Sequence, residues 1–270
     1  MSGDHRFPYD AFPVVVAHRG ASSTHPENTL SAFERAIELG APAVELDVRL
    51  TADGIPVVVH DADVSRTTDG RGFVHELTRD ELRALKVGPE RREHVPSLRE
   101  ALEVLSGRAG VAVEIKNLPG EPAFEADGES IVEAALAELD AVSFDGPVLV
   151  ISFNPRSVAT ARSLRPDVPT GFLITDAIAP DDGLAHAITA GHDVLLPGAR
   201  GLSAAADAAF VRRAHDAGVR IGTWTVDDPG RFLTFLEWGV DVVATNDPAM
   251  GLRVLSAYRE TASHERSDRG

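Results

Sequence analysis

Short apolar runs recur along the chain, and most of them precede a segment whose apolar residues repeat at helical spacing. The first run spans 14–17, and Asn28 is the predicted N-cap of the helix that follows. Leu30 and Phe33 share one face of this helix, and Gly40 marks its end. The pattern predicts strands over 14–17, 43–48, 55–60, 111–116, 148–153, 171–174, 194–196, 220–226 and 241–245. It predicts helices over 30–39, 97–105, 129–139, 155–164, 182–190, 204–217, 229–238 and 248–258.

Only a short turn joins one pair of these strands. Residues 51–54 are Thr-Ala-Asp-Gly, a turn sequence, and they separate the strands 43–48 and 55–60. So short a connection cannot contain a crossover helix, so the two strands are predicted to pair antiparallel. The hairpin would return His60 to the vicinity of Glu45.

The remaining eight strands each precede a helix, which predicts an α/β fold of the TIM, or (β/α)8, barrel type. We expect a single barrel domain over 13–258 and a disordered polar tail over 259–270. A polar insertion or lid over about 61–96, with one helical piece near 78–85, is expected to lack a core of its own. Catalytic residues of such barrels lie at the C-terminal ends of the strands, where the polar residues of this chain cluster.

The composition narrows the possible function classes. The chain has 270 residues, a net charge of −16 and no cysteine, which argues against nucleic acid or anionic membranes as partners and excludes thiol chemistry. Residues 1–12 carry charges and prolines where a signal peptide would be apolar. No apolar run reaches the roughly 20 residues of a membrane helix. These features favour a cytoplasmic enzyme with no stable membrane insertion.

Three carboxylates are predicted to converge at the strand ends. Glu45 and Asp47 lie two residues apart on one strand, so their side chains point to the same face. Burying this repelling pair is costly unless one carboxyl takes up a proton or a cation binds between them. Glu114 occupies the equivalent place on the next parallel strand. Carboxylate ligands alone favour Mg²⁺ or Ca²⁺, and the alternative is a salt-bridge network with arginines.

Two histidines end strands next to these carboxylates. His18 follows the first strand and His60 ends the hairpin, and imidazoles can exchange protons near neutral pH. Either alone would be interpreted as an ordinary hydrogen-bonded histidine, but together with Arg19 and the carboxylates they indicate acid–base catalysis. We expect the other histidines to be solvated: His5, His25, His75, His94, His186, His192, His215 and His264.

Three further side chains are candidates for substrate binding. Arg19, beside His18 at the exit of a buried strand, is costly to place there unless an anion is near, although a solvated strand end would also accommodate it. Lys116 shares a face with Glu114 and could hold an anion or a metal ligand, or only pair with Glu114. Trp224 is either core filling or an apolar wall for the organic part of a substrate.

The motifs, in chain order, are His18–Arg19–Gly20, Pro26–Glu27–Asn28–Thr29, Glu45–Leu46–Asp47–Val48, Asp53–Gly54, His60–Asp61, Val95–Pro96–Ser97–Leu98, Glu114–Ile115–Lys116 and Trp224–Thr225–Val226. In this combination, from about Val14 to Leu255, the chain closely resembles the glycerophosphodiester phosphodiesterases. One departure is Thr245–Asn246–Asp247, where many members have Thr–Asp, and we expect it to affect the start of the last helix, with an N-cap and Pro248 at N1, more than the chemistry.

The resemblance implies a TIM barrel of the phospholipase C-like phosphodiesterase type, with a small insertion after the hairpin. The roles that it implies are an acid–base pair of His18 and His60, divalent metal binding by Glu45, Asp47 and Glu114, and phosphate binding by Arg19 and Lys116.

We therefore expect metal-dependent hydrolysis of a small glycerophosphodiester to glycerol 3-phosphate and an alcohol. One alternative is a lysophospholipase D or sphingomyelinase D type of enzyme, although a lipid substrate would favour an apolar loop rim and the insertion is polar. The other is a non-catalytic barrel that binds a phosphodiester, but none of the histidines or carboxylates is missing. The sequence leaves open the alcohol, the choice of Mg²⁺ or Ca²⁺, the division of acid and base roles, and the oligomeric state.

Overall fold

Nine strands and ten helices follow one another in residues 12–88 and 93–267, the part of the chain that the computed structural model describes. The strands are β1 (Val14–His18), β2 (Ala43–Leu50), β3 (Pro56–Val58), β4 (Gly110–Ile115), β5 (Val148–Ser152), β6 (Thr170–Ile174), β7 (Val194–Pro197), β8 (Arg220–Thr223) and β9 (Val242–Thr245). The helices are α1 (Leu30–Glu38), α2 (Arg79–Ala84), α3 (Leu98–Leu105), α4 (Ser130–Ala141), α5 (Pro155–Leu164), α6 (Pro180–Ala190), α7 (Ala199–Ala205), α8 (Ala208–Asp216), α9 (Pro229–Trp238) and α10 (Pro248–Ser267).

The strands close into a barrel. Parallel neighbours run in the order β1, β9, β8, β7, β6, β5, β4, β2, and β1 also pairs with β2. The remaining strand, β3, pairs antiparallel with β2, so that Val48 lies opposite Val58. Both the (β/α)8 barrel and the antiparallel hairpin that the sequence predicted are confirmed.

Strand alternation separates the core from the site. On β2, Val44, Leu46 and Val48 face outwards into an apolar layer shared with Phe33 of α1 and Leu102 of α3. The residues between them therefore face the barrel interior, where an apolar cluster forms the floor. That cluster includes Val16, Ala43, Ala112, Leu149, Ile151, Leu173, Leu196, Val242 and Ala244.

A small apolar cluster packs the insertion against the hairpin. Two short 3₁₀ turns, Val64–Arg66 and Val74–Glu76, precede α2. The cluster combines the insertion with the hairpin and consists of Val57, Val59, Val64, Val74, Leu82, Val87 and Val95. These residues are scattered among polar ones without a helical or strand period, so no local pattern reveals that they converge.

Two helix predictions were wrong. The helix expected over 204–217 is divided into α7 and α8, because Asp207 accepts hydrogen bonds from Ala209 N and Phe210 N and so caps a new helix. The tail expected to be disordered over 259–270 continues α10 as far as Ser267, since residues 252–269 contain neither proline nor glycine to end a helix. Residues 268–270 lie outside the described chain, as do His5 and most of the segment 1–12 that was compared with a signal peptide.

Two histidines expected to be solvated have defined partners. His192 is only 3% exposed, its Nδ1 lies 3.0 Å from Thr170 Oγ1, and its ring stacks near Phe172. His215 Nε2 lies 2.7 Å from Asp241 Oδ2. Their loop or helix-end positions in the sequence give no sign of these long-range contacts. Among the helices of the described chain, none combines the length and apolar character that crossing a bilayer requires.

The turn after β1 depends on Gly20, which generates a prediction. Gly20 and Gly40 both have positive φ, 82° and 84°, but a Cβ at Gly20 would lie 2.7 Å from the backbone of Ala32, whereas a Cβ at Gly40 would meet nothing within 4 Å. Gly20→Ala should therefore lower the free energy of unfolding by roughly 1–3 kcal/mol more than Gly40→Ala, as measured by urea denaturation. Equal losses would show that the turn can open to accept a methyl group.

Candidate active site

Three carboxylates meet at the C-terminal mouth of the barrel. Glu45 and Asp47 project inwards from β2, and Asp47 is level with Glu114 of β4 in the parallel register. One oxygen from each carboxylate lies within 4.8 Å of the other two, and all three side chains are buried. The three residues that the sequence grouped are thus brought together by the closure of β2 onto β4.

Burial and mutual repulsion govern how these groups ionise. Loss of solvation and the charge of Asp47 raise the pKa of Glu45 to about 8. Loss of solvation, with Asp47 and Glu45, raises the pKa of Glu114 to about 7. Burial acts to raise the pKa of Asp47 as well, but Lys116 and Arg19 hold it well below its usual value. In the metal-free site, Glu45 and Glu114 therefore keep their protons to a higher pH than ordinary glutamates do.

The donor set fits a hard divalent cation. Glu45 Oε1 is buried and accepts no hydrogen bond from any residue of the described chain. Orphaned, converging carboxylate oxygens suit Mg²⁺ or Ca²⁺, and a divalent ion would remove the repulsion that raises the pKa of Glu45. The three carboxylates could therefore hold one such ion.

Two cations flank the carboxylates. Arg19 Nε lies 3.3 Å from Asp47 Oδ2, and its backbone N donates to Glu45 Oε2 over 3.0 Å. Lys116 Nζ contacts Glu114 and lies 2.9 Å from Asp47 Oδ1. Lys116 is 7% exposed and lines the cavity, so the ion pair with Glu114 that the sequence allowed is present and extends to Asp47. Both cations line the cavity.

His18 is held by a residue that the sequence assigned to the last helix. Its Nδ1 lies 2.8 Å from Asn246 Oδ1, and Asn246 Nδ2 donates to Asp227 Oδ2 over 2.6 Å. Because the carboxylate fixes the amide orientation, the Asn246 carbonyl faces His18 and Nδ1 of His18 carries the proton. His18 Nε2 then faces Glu45 Oε2 at 3.9 Å. Burial and Arg19 lower the pKa of His18.

His60 is held by charged partners. Its Nδ1 lies 2.7 Å from Asp61 Oδ1, and its backbone carbonyl accepts a 2.8 Å hydrogen bond from Arg49 Nε. Burial lowers the pKa of His60, with Lys116 adding to the effect and Asp47 opposing it. His60 and Glu45 line the same cavity, as the hairpin implied. In both histidines Nδ1 is engaged, so Nε2 is the atom available for proton exchange.

The cavity is polar on one side and apolar on the other. Its volume is about 190 Å³, and Trp224 forms part of the apolar wall just beyond the end of β8. The Trp224 ring is fixed by its Nε1, which donates to Leu196 O over 3.0 Å, and by Phe153, whose ring meets it edge-on at 5.3 Å. Trp224 therefore lines the cavity, and Phe153 is a wall residue that the sequence did not single out.

Sequence reasoning misassigned two asparagines. Asn28 is not the N-cap of α1: Thr29 caps it by accepting from Ala32 N, while Asn28 adopts a φ of 58° and its Nδ2 donates to Asp47 Oδ2 over 2.7 Å. Asn246 was expected to affect the start of α10 more than the chemistry, yet it contacts His18. Asparagine tolerates the left-handed region and caps helices, so the local sequence favoured a structural role for both.

The chain is a closed (β/α)8 barrel whose C-terminal mouth brings together two histidines, three carboxylates and two cations, and this is the end of such barrels at which enzymes place their active sites. The chain also matches the model of the glycerophosphoryl diester phosphodiesterase family over residues 18–250. It belongs to that family, and it is a phosphoric diester hydrolase.

Individual relatives agree with the family match. The glycerophosphodiester phosphodiesterase of Caldanaerobacter subterraneus subsp. tengcongensis is 32% identical over 246 residues, which cover 87% of this chain and 94% of the relative. A phosphodiesterase from Oleispira antarctica, solved with the product sn-glycerol-3-phosphate, is 29% identical with a TM-score of 0.81, over 92% of this chain and 98% of that one. The glycerophosphodiester phosphodiesterase of Thermotoga maritima is 27% identical with a TM-score of 0.71, over 90% and 99%.

The raised pKa values of Glu45 and Glu114 predict proton-coupled metal binding. Since both carboxyls must ionise to become ligands, binding of Mg²⁺ or Ca²⁺ should release protons at pH 7 and weaken as the pH falls. Calorimetry in two buffers of different ionisation enthalpy measures this release, which should vanish about two units above these pKa values and shrink in Glu45→Gln. Proton release that does not depend on pH would contradict the assignment.

Glu45 and Glu114 also predict how the free energy of unfolding of the metal-free protein depends on pH. The folded protein holds these protons more tightly than the unfolded chain, whose glutamates titrate near 4.5. The two glutamates therefore contribute a free energy of unfolding that falls as the pH rises from about 4.5 to 8. The lowered pKa values of His18 and His60 contribute the opposite trend below about 6.5, so urea denaturation of the metal-free protein should show the fall between about pH 6.5 and 8. Excess Mg²⁺ or Ca²⁺ should remove it.

Proposed function

We propose that the chain hydrolyses small glycerophosphodiesters to glycerol 3-phosphate and an alcohol, in a reaction that depends on Mg²⁺ or Ca²⁺ and uses His18 and His60 as acid and base. The observation that carries this proposal is that both histidines, Glu45 and Glu114 line one 190 Å³ cavity, with Asp47 completing the carboxylate cluster behind them. The product bound to the Oleispira antarctica relative supports a substrate of this chemical class.

Substrate binding falls to the cations and the apolar wall. Arg19 and Lys116 face the cavity and donate hydrogen bonds to the phosphoryl oxygens, whose charge grows in the transition state. Trp224 packs against the carbon atoms of the substrate on the opposite side. Glu45, Asp47 and Glu114 hold the divalent ion, which when bound supplies Lewis-acid stabilisation of the phosphoryl charge.

Proton transfer falls to the two imidazoles. One histidine removes a proton from the nucleophile, either water or the neighbouring glycerol hydroxyl, and the other protonates the leaving alkoxide. Asn246 and Asp61 accept from Nδ1 of His18 and His60, which presents both Nε2 atoms to the cavity. The partner of His18 is neutral and that of His60 is charged, so the two imidazoles are not equivalent.

Metal dependence is the first test of this function. Chelator should abolish hydrolysis of sn-glycero-3-phosphocholine, and Mg²⁺ or Ca²⁺ should restore it, because without the ion the site lacks the Lewis acid that would stabilise the phosphoryl charge. Metal should also raise the melting temperature of the wild type, since it binds only the folded state. Glu45→Gln should lose the activity and most of this thermal shift while remaining folded. Full activity in excess chelator would refute the metal requirement, and lysophospholipid as the better substrate would favour the lysophospholipase D alternative.

The two histidines generate a separate test. His18→Ala and His60→Ala should each lower kcat by about 10²–10⁴-fold, the usual effect of removing a positioned proton-transfer group, and the losses should not add in the double variant. An aryl diester, whose leaving group needs no proton, should rescue only the variant that lacks the general acid.

His25→Ala provides the control, because His25 lies in the same loop as His18 without lining the cavity. Equal rescue of both variants by the aryl diester, or no loss in either, would refute the acid–base pair.

A further inference from the structure

Arg66 extends from the insertion to two carboxylates, each of which contacts a residue that lines the cavity. It lies on the first 3₁₀ turn of the insertion. Its Nη1 and Nη2 donate to the two oxygens of Glu27 over 2.9 and 2.7 Å, and its Nε donates to Asp61. A planar guanidinium can bind both oxygens of one carboxylate and still donate to a second carboxylate, a fixed geometry that the single ammonium group of lysine does not reproduce.

Glu27 binds both Arg66 and Arg19. Glu27 Oε1 accepts from Arg19 Nη1 over 2.9 Å as well as from Arg66 Nη2. A carboxylate bound to Arg19 occupies a donor that a phosphoryl group would use, and it offsets the positive charge that attracts the phosphoryl group. Arg66 shares the negative charge of Glu27 and holds both of its oxygens. Without Arg66, the full charge of Glu27 would fall on Arg19.

Asp61 binds both Arg66 and His60. Asp61 uses Oδ1 for His60 Nδ1 and Oδ2 for Arg66 Nε, so each oxygen has one partner. Burial acts to raise the pKa of Asp61, but Arg66 and His60 lower it to about 2, and the carboxylate therefore stays ionised. An ionised, immobilised acceptor fixes both the ring orientation and the tautomer of His60.

We propose that Arg66 is a positioning residue that shares the negative charge of Glu27 with Arg19 and aligns Asp61 behind His60, so that one side chain of the insertion prepares both phosphate binding and proton transfer. The inference rests on the proposed function, because it takes Arg19 to bind phosphate and His60 to move a proton.

A simpler explanation is that Arg66 only fastens the insertion to the barrel. The chain offers a matched control: Arg79, also in the insertion, pairs with Glu100 of α3 over 2.5 Å, outside the residues that line the cavity. If fastening is the whole effect, Arg79→Ala should behave as Arg66→Ala does. If Arg66 positions the site, the two variants should differ.

The experiment compares Arg66→Ala, Arg66→Lys, Arg79→Ala, Glu27→Gln and the double variant Arg66→Ala/Glu27→Gln. For each, kcat and KM are measured with sn-glycero-3-phosphocholine, and the Kd of inorganic phosphate by calorimetry. Arg66→Ala should weaken phosphate binding and lower kcat by roughly 10- to 100-fold each, the range for partners that orient a site. Arg66→Lys should recover only part of this loss, and Arg79→Ala should change neither value beyond about twofold.

The Glu27→Gln background isolates the electrostatic part of the inference. With the charge of Glu27 removed, the further loss of Arg66 should leave the Kd of phosphate unchanged while kcat still falls through Asp61 and His60. Equal effects of Arg66→Ala and Arg79→Ala, or an unchanged phosphate Kd and kcat in Arg66→Ala, would overturn the inference. If the wild type hydrolyses no diester but the phosphate Kd still depends on Arg66 as expected, the proposed function is refuted. The effect of Arg66 on Arg19 then stands.

Discussion

The repulsion among Glu45, Asp47 and Glu114 is the constraint on which the site depends. Barrel closure brings the three carboxyls together in one desolvated mouth, where loss of solvation and the neighbouring negative charges raise the pKa values of Glu45 and Glu114. Arg19 and Lys116 relieve part of this repulsion, and within this cluster their side chains contact Asp47 and Glu114, not the free oxygen of Glu45. The metal-free site therefore keeps an unsatisfied demand for positive charge, which a divalent cation bound by the three carboxylates could meet.

The apolar floor makes that demand stronger. Interior side chains such as Leu149, Leu173 and Leu196 exclude water from below, and the edge-on pair of Phe153 and Trp224 closes one side. In such surroundings each charge interaction is worth more than in water. Charge can then be neutralised only by side chains and ligands that enter from the C-terminal face, so substrate orientation follows from the shape of the barrel.

Much of this arrangement could be predicted from the sequence, because it depends on local periods. The alternation of β2 put Glu45 and Asp47 on the inner face, and the short turn after Leu50 identified the hairpin. The contacts that escaped prediction join residues far apart: Asn246 lies 228 positions from His18. Likewise, the burial of His192 depends on Thr170 and Phe172, which a loop position in the sequence does not reveal. No local pattern encodes such packing, since asparagine and histidine suit turns and loops equally well.

The hairpin of β2 and β3 places His60 at the level of the carboxylates. All the parallel strands run towards the C-terminal mouth of the barrel, so the chain beyond the end of such a strand continues past the carboxylates and away from the barrel. Strand β3 instead turns back along β2, with Val58 opposite Val48 and Val59 N donating to Asp47 O. His60 is thereby returned to the level of the carboxylates, and the insertion starts from that point. A slip of one residue in this register would turn His60 away from the cavity, because strand side chains alternate. The insertion residues Asp61 and Arg66 can act on His60 only because the hairpin delivers them beside it.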